Sequence, residues 1–115
     1  MIKNMKIVFT SGYTSDDDEI TKEKGHRSDV IFIDDDDNYY EVNFVTLERL
    51  RSDLSYSIGI GKKYFTDICM VLLEEVTKDS ILNCVKDLSK IIFFKRFTPI
   101  DKVESKPEWI TFSLD

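Results

Sequence analysis

The sequence predicts a single α+β domain, built as one mixed or mostly antiparallel sheet of about five strands with two helices packed on it. Short runs rich in Val, Ile, Phe and Tyr alternate with polar turns, and two other segments repeat apolar residues at helical spacing. The resulting order is β, β-β, α, β, α, β. With 115 residues, 42% of them hydrophobic, the chain suits one domain over residues 1–115 with a buried core.

In the N-terminal half, Lys6 to Thr10 is predicted as a strand, and the polar stretch Ser11 to Arg27 as a mobile loop. A β-hairpin follows over residues 29–45. Its strands, Asp29 to Ile33 and Tyr39 to Val45, flank an Asp/Asn turn that suits a tight reversal. In the returning strand every second residue is apolar, so the residues expected to face the core are Tyr40, Val42 and Phe44.

Thr46 is predicted to cap a short helix ending near Leu54, because Leu residues recur there at helical spacing. Residues 55–65, which contain two glycines, are predicted as a loop. Ile68 to Leu73 is apolar on both faces and therefore predicts a central strand.

Thr77 is predicted to cap a longer helix that ends near Phe94. Its apolar stripe comprises Ile81, Leu82, Val85, Leu88, Ile91 and Ile92. Trp109 to Leu114 reads as a last strand with three inward residues, which are Ile110, Phe112 and Leu114.

The charge of the chain is acidic and uneven. The formal net charge is −6, and it resides entirely in residues 1–60, which hold 13 acids and 7 bases. Residues 61–115 hold 9 of each. This average field repels nucleic acid and attracts a basic protein, so we expect a protein partner without direct nucleic-acid binding.

The two cysteines lie in apolar segments without metal-binding spacing, so Cys69 and Cys84 are expected to be buried free thiols of a reducing compartment. No apolar run is long enough for a signal peptide or a membrane span. The expected location is the cytoplasm.

No recognisable catalytic, cofactor or metal motif is present, and we do not expect an enzyme. The segment Gly59 to Lys63 lacks the first glycine and the Ser or Thr of a phosphate-binding P-loop. The Asp runs lack the alternate spacing and the glycine of a calcium-binding EF-hand. His26, the only histidine, lies in the polar stretch, whereas both cysteines lie in apolar segments, and none of the serines belongs to a G-x-S-x-G nucleophile elbow.

Two acidic clusters remain, and each is open to two interpretations: a solvated turn, or a surface that recognises a basic protein. Tyrosines lie beside the cluster Asp34 to Asp37. Tyrosine is enriched at protein interfaces, although it also covers the edges of sheets. The candidate contacts are Asp34, Asp35, Asp36, Asp37, Tyr39 and Glu41, with Asp16, Asp17, Asp18 and Glu19 as a second patch.

The segment from Tyr39 to Pro99 resembles bacterial immunity proteins of contact-dependent growth inhibition systems. The resemblance is carried by Tyr39 to Leu50, the strand 68–73 with the residues just before it, the helix start at Glu75 to Thr77, and Phe93-Phe94 before Pro99. It covers about half of the chain, mostly core and capping positions, and residues 1–27 do not contribute.

This resemblance implies a cytoplasmic immunity protein that neutralises a cognate toxin, expected to be a basic nuclease domain that the acidic surface would cap. One alternative is an adaptor or regulatory domain that binds a basic host protein. Another is a small enzyme with a carboxylate site, which would require a concave pocket holding acids of raised pKa.

Overall fold

The computed structural model describes residues 5–64, 70–90 and 99–114. The described residues form five strands and three helices. The strands are β1 (Lys6–Phe9), β2 (His26–Ile33), β3 (Tyr39–Val45), β4 (Met70–Leu72) and β5 (Ile110–Ser113). The helices are α1 (Asp17–Lys24), α2 (Leu47–Gly59) and α3 (Lys78–Lys90).

All five strands belong to one sheet, in the order β4-β3-β2-β1-β5. Neighbouring strands run antiparallel, except that β3 and β4 are parallel. Because parallel neighbours need a crossover connection, α2 lies between β3 and β4 in the chain. The predicted α+β class with one mixed five-stranded sheet is confirmed, with three helices in the described residues instead of two.

The hairpin predicted over residues 29–45 is confirmed, and its first strand begins earlier, at His26. The pairing next to the turn joins Ile33 to Tyr39. Asp37 adopts a φ of 63° in this turn, a left-handed conformation that Asp tolerates better than most residues.

The two faces of the sheet bury different side chains. Because side chains alternate along each strand, one set of them lies on the face that α3 covers. Tyr40, Val42 and Phe44 belong to this set, as predicted. This main core consists of Met5, Ile7, Phe9, Val30, Phe32, Tyr40, Val42, Phe44, Val76, Ile81, Val85 and Leu114. On the opposite face a smaller cluster comprises Val8, Ile31, Ile33 and Tyr39, with Ile100, Val103 and Trp109 packed against it.

The stretch predicted as a mobile loop, Ser11 to Arg27, contains α1, so that prediction is wrong for Asp17–Lys24. Thr21 is the only buried residue of this helix, which therefore lacks the apolar stripe that identifies most helices. Its end signals are present in the sequence. Three acids occupy the first turn, and Gly25 ends the helix with a φ of 71° and an N–H that donates to Thr21 O at 2.9 Å.

Two predicted boundaries in the second half are corrected. α2 extends beyond Leu54 to Gly59, where a loop was predicted. The strand predicted as central, Ile68 to Leu73, is the edge strand β4, and residues 68 and 69 lie outside the described residues. Its apolar run suggested burial on both faces, but Met70 and Leu72 are exposed at the edge of the sheet.

Both predicted helix caps are confirmed. Thr46 Oγ1 accepts a hydrogen bond from the Arg49 N–H at 3.1 Å, and Thr77 Oγ1 accepts one from the Ser80 N–H at 3.2 Å. The predicted helix end near Phe94 falls within residues 91–98, outside the described residues.

The last strand is confirmed over Ile110–Ser113. Phe112 and Leu114 join the main core as predicted, whereas Ile110 is exposed. None of α1, α2 and α3, the helices of the described residues, is long and apolar enough to cross a membrane.

Candidate functional site

The acidic turn, residues 34–38, is organised by the carboxylate of Asp34. This group accepts hydrogen bonds from the N–H groups of Asp36 (3.0 Å) and Asn38 (2.8 Å), from Asn38 Nδ2 (3.1 Å) and from the Tyr40 hydroxyl (3.3 Å). Burial and the neighbouring Asp34 carboxylate raise the pKa of Tyr40, so its hydroxyl stays protonated and can donate. Asp34 therefore shapes the turn and has little capacity left for a partner.

Asp35 and Asp36 project from this turn. Both residues are exposed, and neither carboxylate has a hydrogen bond or an ion pair within the described part of the chain. Asp37 forms an ion pair with Lys102, at 3.3 Å between Oδ2 and Nζ, in which both side chains are largely exposed. The turn thus presents two free carboxylates on a backbone that Asp34 holds in place, and a third, that of Asp37, whose exposed ion pair with Lys102 is weak.

Tyr39 is not on the surface, contrary to the prediction that it contacts a partner. Tyr39 is only 7% exposed and belongs to the smaller core cluster, together with Val8, Ile31 and Ile33. The segment that follows residue 99 covers it, and the Ile100 N–H donates to Tyr39 O at 2.8 Å. This cover comes from 61 positions farther along the chain, so local alternation could not reveal it.

Glu41 is half-buried on the same face as Tyr39, two residues further along β3. It lines a small cavity of about 220 Å³ together with Asp29, Ile100 and Val103. Glu41 therefore lies away from the tip of the hairpin and does not share a surface with Asp35 and Asp36.

The second predicted patch, Asp16 to Glu19, is divided between structural and solvent-exposed side chains. Asp17 Oδ2 accepts a hydrogen bond from the Thr14 N–H at 2.6 Å. Asp18 accepts from the Lys78 N–H at the start of α3, at 2.9 Å, and from the Tyr13 hydroxyl. Only Asp16 and Glu19 are exposed.

Asp18 acts as a cap for α3 that comes from another helix. The Lys78 N–H, followed by the Tyr13 hydroxyl, holds the pKa of Asp18 below its ordinary value. Burial and the bond to Asp18 raise the pKa of Tyr13 well above its ordinary value. The pair therefore remains a carboxylate and a phenol at neutral pH and ties α1 to α3.

The two acidic patches lie at different positions along β2. Asp17 lines a cavity with Ser28 and Asp29, near the middle of the strand, whereas the acidic turn begins directly after the strand ends at Ile33.

A feature that sequence reasoning missed is an open cleft of about 700 Å³ between α1, α2 and the segment that connects β4 to α3. Its lining contains five acids and three bases, a net of −2: Glu23, Glu48, Asp53, Glu74, Glu75, Lys22, Lys24 and Arg49. Two ion pairs neutralise part of this charge, Lys22 with Glu75 at 3.5 Å and Arg49 with Asp53 at 3.0 Å. The residues come from three separate segments, and the missed helix α1 supplies one wall, so no local pattern indicated the cleft.

The described residues include no group of three or more His, Cys, Asp or Glu side chains placed to hold a metal ion. His26 is half-buried at the start of β2. Cys84 is a half-buried free thiol of α3, and burial, together with Asp87, raises its pKa, which makes it a poor nucleophile. Cys69 lies outside the described residues.

No protein-family model matches this chain, and neither a curated protein nor a solved structure matches it.

Proposed function

We propose that the chain is a cytoplasmic immunity protein that binds and neutralises a cognate toxin, a basic nuclease domain, through the acidic turn. The observation that carries this proposal is the pair of free carboxylates, Asp35 and Asp36, held at the tip of a hairpin by the hydrogen bonds of Asp34. Because these hydrogen bonds hold the backbone of the turn, little backbone entropy is lost when Arg or Lys side chains dock on it.

The distribution of charge supports the same proposal. The net charge of −6 attracts a basic domain at long range and raises the association rate. Between Ser28 and Glu48 the chain carries seven acids and neither Lys nor Arg. A nuclease that approaches phosphates needs a basic surface, and an inhibitor that covers this surface benefits from the opposite charge.

The test is co-expression of the tagged chain with the product of the reading frame immediately upstream in its source cell. We expect a tight complex with a basic protein, weakened at least about tenfold by the double substitution Asp35→Asn and Asp36→Asn. The same substitution should reduce protection of growth against the expressed toxin. A matched control removes two exposed charges elsewhere, Glu104→Gln with Glu108→Gln, and should change neither result.

Three other outcomes are informative. Substitution of Asp16 and Glu19 by Asn and Gln has the same charge change, so a larger effect there would move the interface to the start of α1. A tight complex that is indifferent to all these variants would keep the function and reject the acidic turn. Absence of a complex with the upstream product would reject the immunity function and favour an adaptor for a basic host protein.

A further inference from the structure

A cavity lies between the sheet and the segment that crosses its smaller core cluster. Ile100 and Val103 of this segment pack against the cluster. The cavity has a volume of about 220 Å³, and its other lining residues include Ile31 of β2 and Glu41 of β3. Glu41 and Ile31 are directly opposite each other in the pairing of β2 with β3, so their side chains lie on the same face of the sheet. Aliphatic side chains and a carboxylate therefore share this small space.

The lining of the cavity carries negative charge and no base. Among its described lining residues, Asp29 and Glu41 are the ionisable ones. Asp29 is neutralised by its ion pair with Arg27. Glu41 is half-buried, and its carboxylate has no hydrogen bond or ion pair with any described residue. Because partial burial weakens the hydration of a charge, a cation that reaches Glu41 is attracted more strongly than it would be by a fully exposed carboxylate.

The size and the walls of the cavity restrict the kind of cation that fits. Pockets for drug-sized ligands have volumes of roughly 300–1,000 Å³, so this smaller cavity suits one short chain. Ile100 and Val103 offer apolar contact to methylene groups, and Thr10 and Ser28 add hydroxyl groups to the lining. An ammonium group has three donors and no acceptor, so it can bond to Glu41 and still donate to a hydroxyl group or to water.

We propose that this cavity binds a primary ammonium group on a short aliphatic chain, with Glu41 as its counter-charge. Two sources share this chemistry, a free alkylamine and the side chain of a lysine on another protein. A metal ion is a poorer fit, since the described part of the chain offers no group of three or more metal-ligating side chains. The site is separate from the acidic turn, and the inference does not depend on the proposed immunity function.

The test follows the binding of n-butylammonium chloride to the full chain by NMR, as shifts of the methyl signals of Ile100 and Val103. We expect saturable shifts with a Kd of about 1–10 mM. Glu41→Gln should weaken this binding about tenfold or more. Butan-1-ol, which has the same chain without the charge, should also bind at least about tenfold more weakly. The matched control, Asp35→Asn with Asp36→Asn, removes two carboxylates of the acidic turn and should leave the affinity unchanged.

N-acetyl-lysine amide distinguishes the two sources of the ammonium group. Binding as tight as that of n-butylammonium would assign the site to a lysine side chain of another protein, because the backbone of that lysine then stays outside the cavity. Binding about tenfold weaker than that of n-butylammonium would assign the site to a free alkylamine. Either result supports an ammonium site at Glu41.

Three results would overturn the proposal. The first is no saturable shift of the two methyl signals up to about 100 mM n-butylammonium. The second is equal binding of butan-1-ol, or equal binding of n-butylammonium to the Glu41→Gln variant, because the cavity would then take apolar chains without a counter-charge. The third is a Tm lowered by more than about 5 °C in the Glu41→Gln variant without amine, since a loss of that size means that the carboxylate stabilises the fold itself.

Discussion

The carboxylate of Asp18 in α1 accepts a hydrogen bond from the backbone N–H of Lys78, the first residue of α3, at 2.9 Å. The two residues are 60 positions apart. The N–H groups of the first helical turn lack partners within their own helix, and a negative charge near them is favourable. Thr77, the residue before the helix, satisfies the N–H of Ser80, and Asp18 satisfies that of Lys78. Two caps from different parts of the chain therefore fix the start of α3.

Replacement of Asp18 by Ala should lower the free energy of unfolding by about 1–2 kcal/mol, because it removes a charged acceptor from a helix start and leaves the Tyr13 hydroxyl without that acceptor. Urea unfolding followed by circular dichroism measures this loss. The exposed neighbour Asp16, which makes no side-chain capping bond, provides the control, and Asp16→Ala should change stability by less than about 0.5 kcal/mol. Equal effects of the two substitutions would show that the contact with Lys78 contributes nothing.

A second contact that stabilises the fold joins Arg27 and Asp29, which both lie in β2. Arg27 Nη2 donates to Asp29 Oδ2 at 2.8 Å and to Gly12 O at 2.6 Å, and its guanidinium lies over the rings of Phe9 and Tyr13, 5.1 and 5.0 Å from the centroids. Both side chains of the ion pair are mostly buried. Arg27→Ala should therefore cost about 2–4 kcal/mol, largely because Asp29 loses its counter-charge in a partly desolvated position.

A double-mutant cycle checks the origin of this cost. The effect of Arg27→Ala together with Asp29→Ala should be clearly smaller than the sum of the single effects, because the second substitution removes the charge left unpaired by the first. The exposed pair Asp37 and Lys102 serves as the comparison, with a coupling below about 0.5 kcal/mol. Additive effects at Arg27 and Asp29 would mean that ring stacking, and not the ion pair, holds Arg27.

The carboxylates of Asp18 and Asp29, which form the two contacts above, predict a loss of stability in acid. The pKa of Asp29 is lowered although burial acts to raise it, because the Arg27 guanidinium and the Ser11 N–H more than offset burial. The pKa of Asp18 is lowered as well. A carboxyl whose pKa is lower in the folded state contributes stability that is fully present above its unfolded value of about 3.9 and is lost as the pH falls through the folded value.

We therefore expect the free energy of unfolding to decrease below a pH of about 4. The double variant Asp18→Asn with Asp29→Asn should start from a lower value and show a flatter profile below that pH. Urea titrations at a series of pH values measure both curves. Parallel curves for the double variant and the unsubstituted chain would show that other carboxylates cause the acid sensitivity.

The sequence predicted well those features that short-range patterns determine. Alternation identified the hairpin and its core residues, and capping residues placed the starts of α2 and α3. The missed features depend on contacts between distant segments. Tyr39 is buried because Ile100 lies over it, and Asp18 is structural because Lys78 meets it. A helix such as α1, which buries only Thr21, offers no periodicity from which to predict it.

Three glycines predict three different responses to Ala. Gly25 has a φ of 71°, and a Cβ there would lie 2.7 Å from Thr46 Oγ1, so Gly25→Ala combines left-handed strain with a clash and should cost about 2–4 kcal/mol. Gly61 has a φ of 93° with open space around it, so strain alone should cost about 1–2 kcal/mol. Gly59 lies in the last turn of α2 without a positive φ and with open space, and Gly59→Ala should stabilise the chain by about 0.5–1 kcal/mol.

Thermal and urea unfolding of the three variants test this order directly. Because Gly25 joins α1 to β2 and its carbonyl accepts from the Thr46 N–H at 2.9 Å, its replacement should also disturb one wall of the cleft, whereas the other two should not. Heteronuclear NMR spectra report that difference as shifts confined to the Gly25 variant at Thr46 and Arg49. If Gly25→Ala proved as mild as Gly61→Ala, then Thr46 would move away without cost, and the packing of α1 on the start of α2 would be looser than the 2.7 Å approach requires.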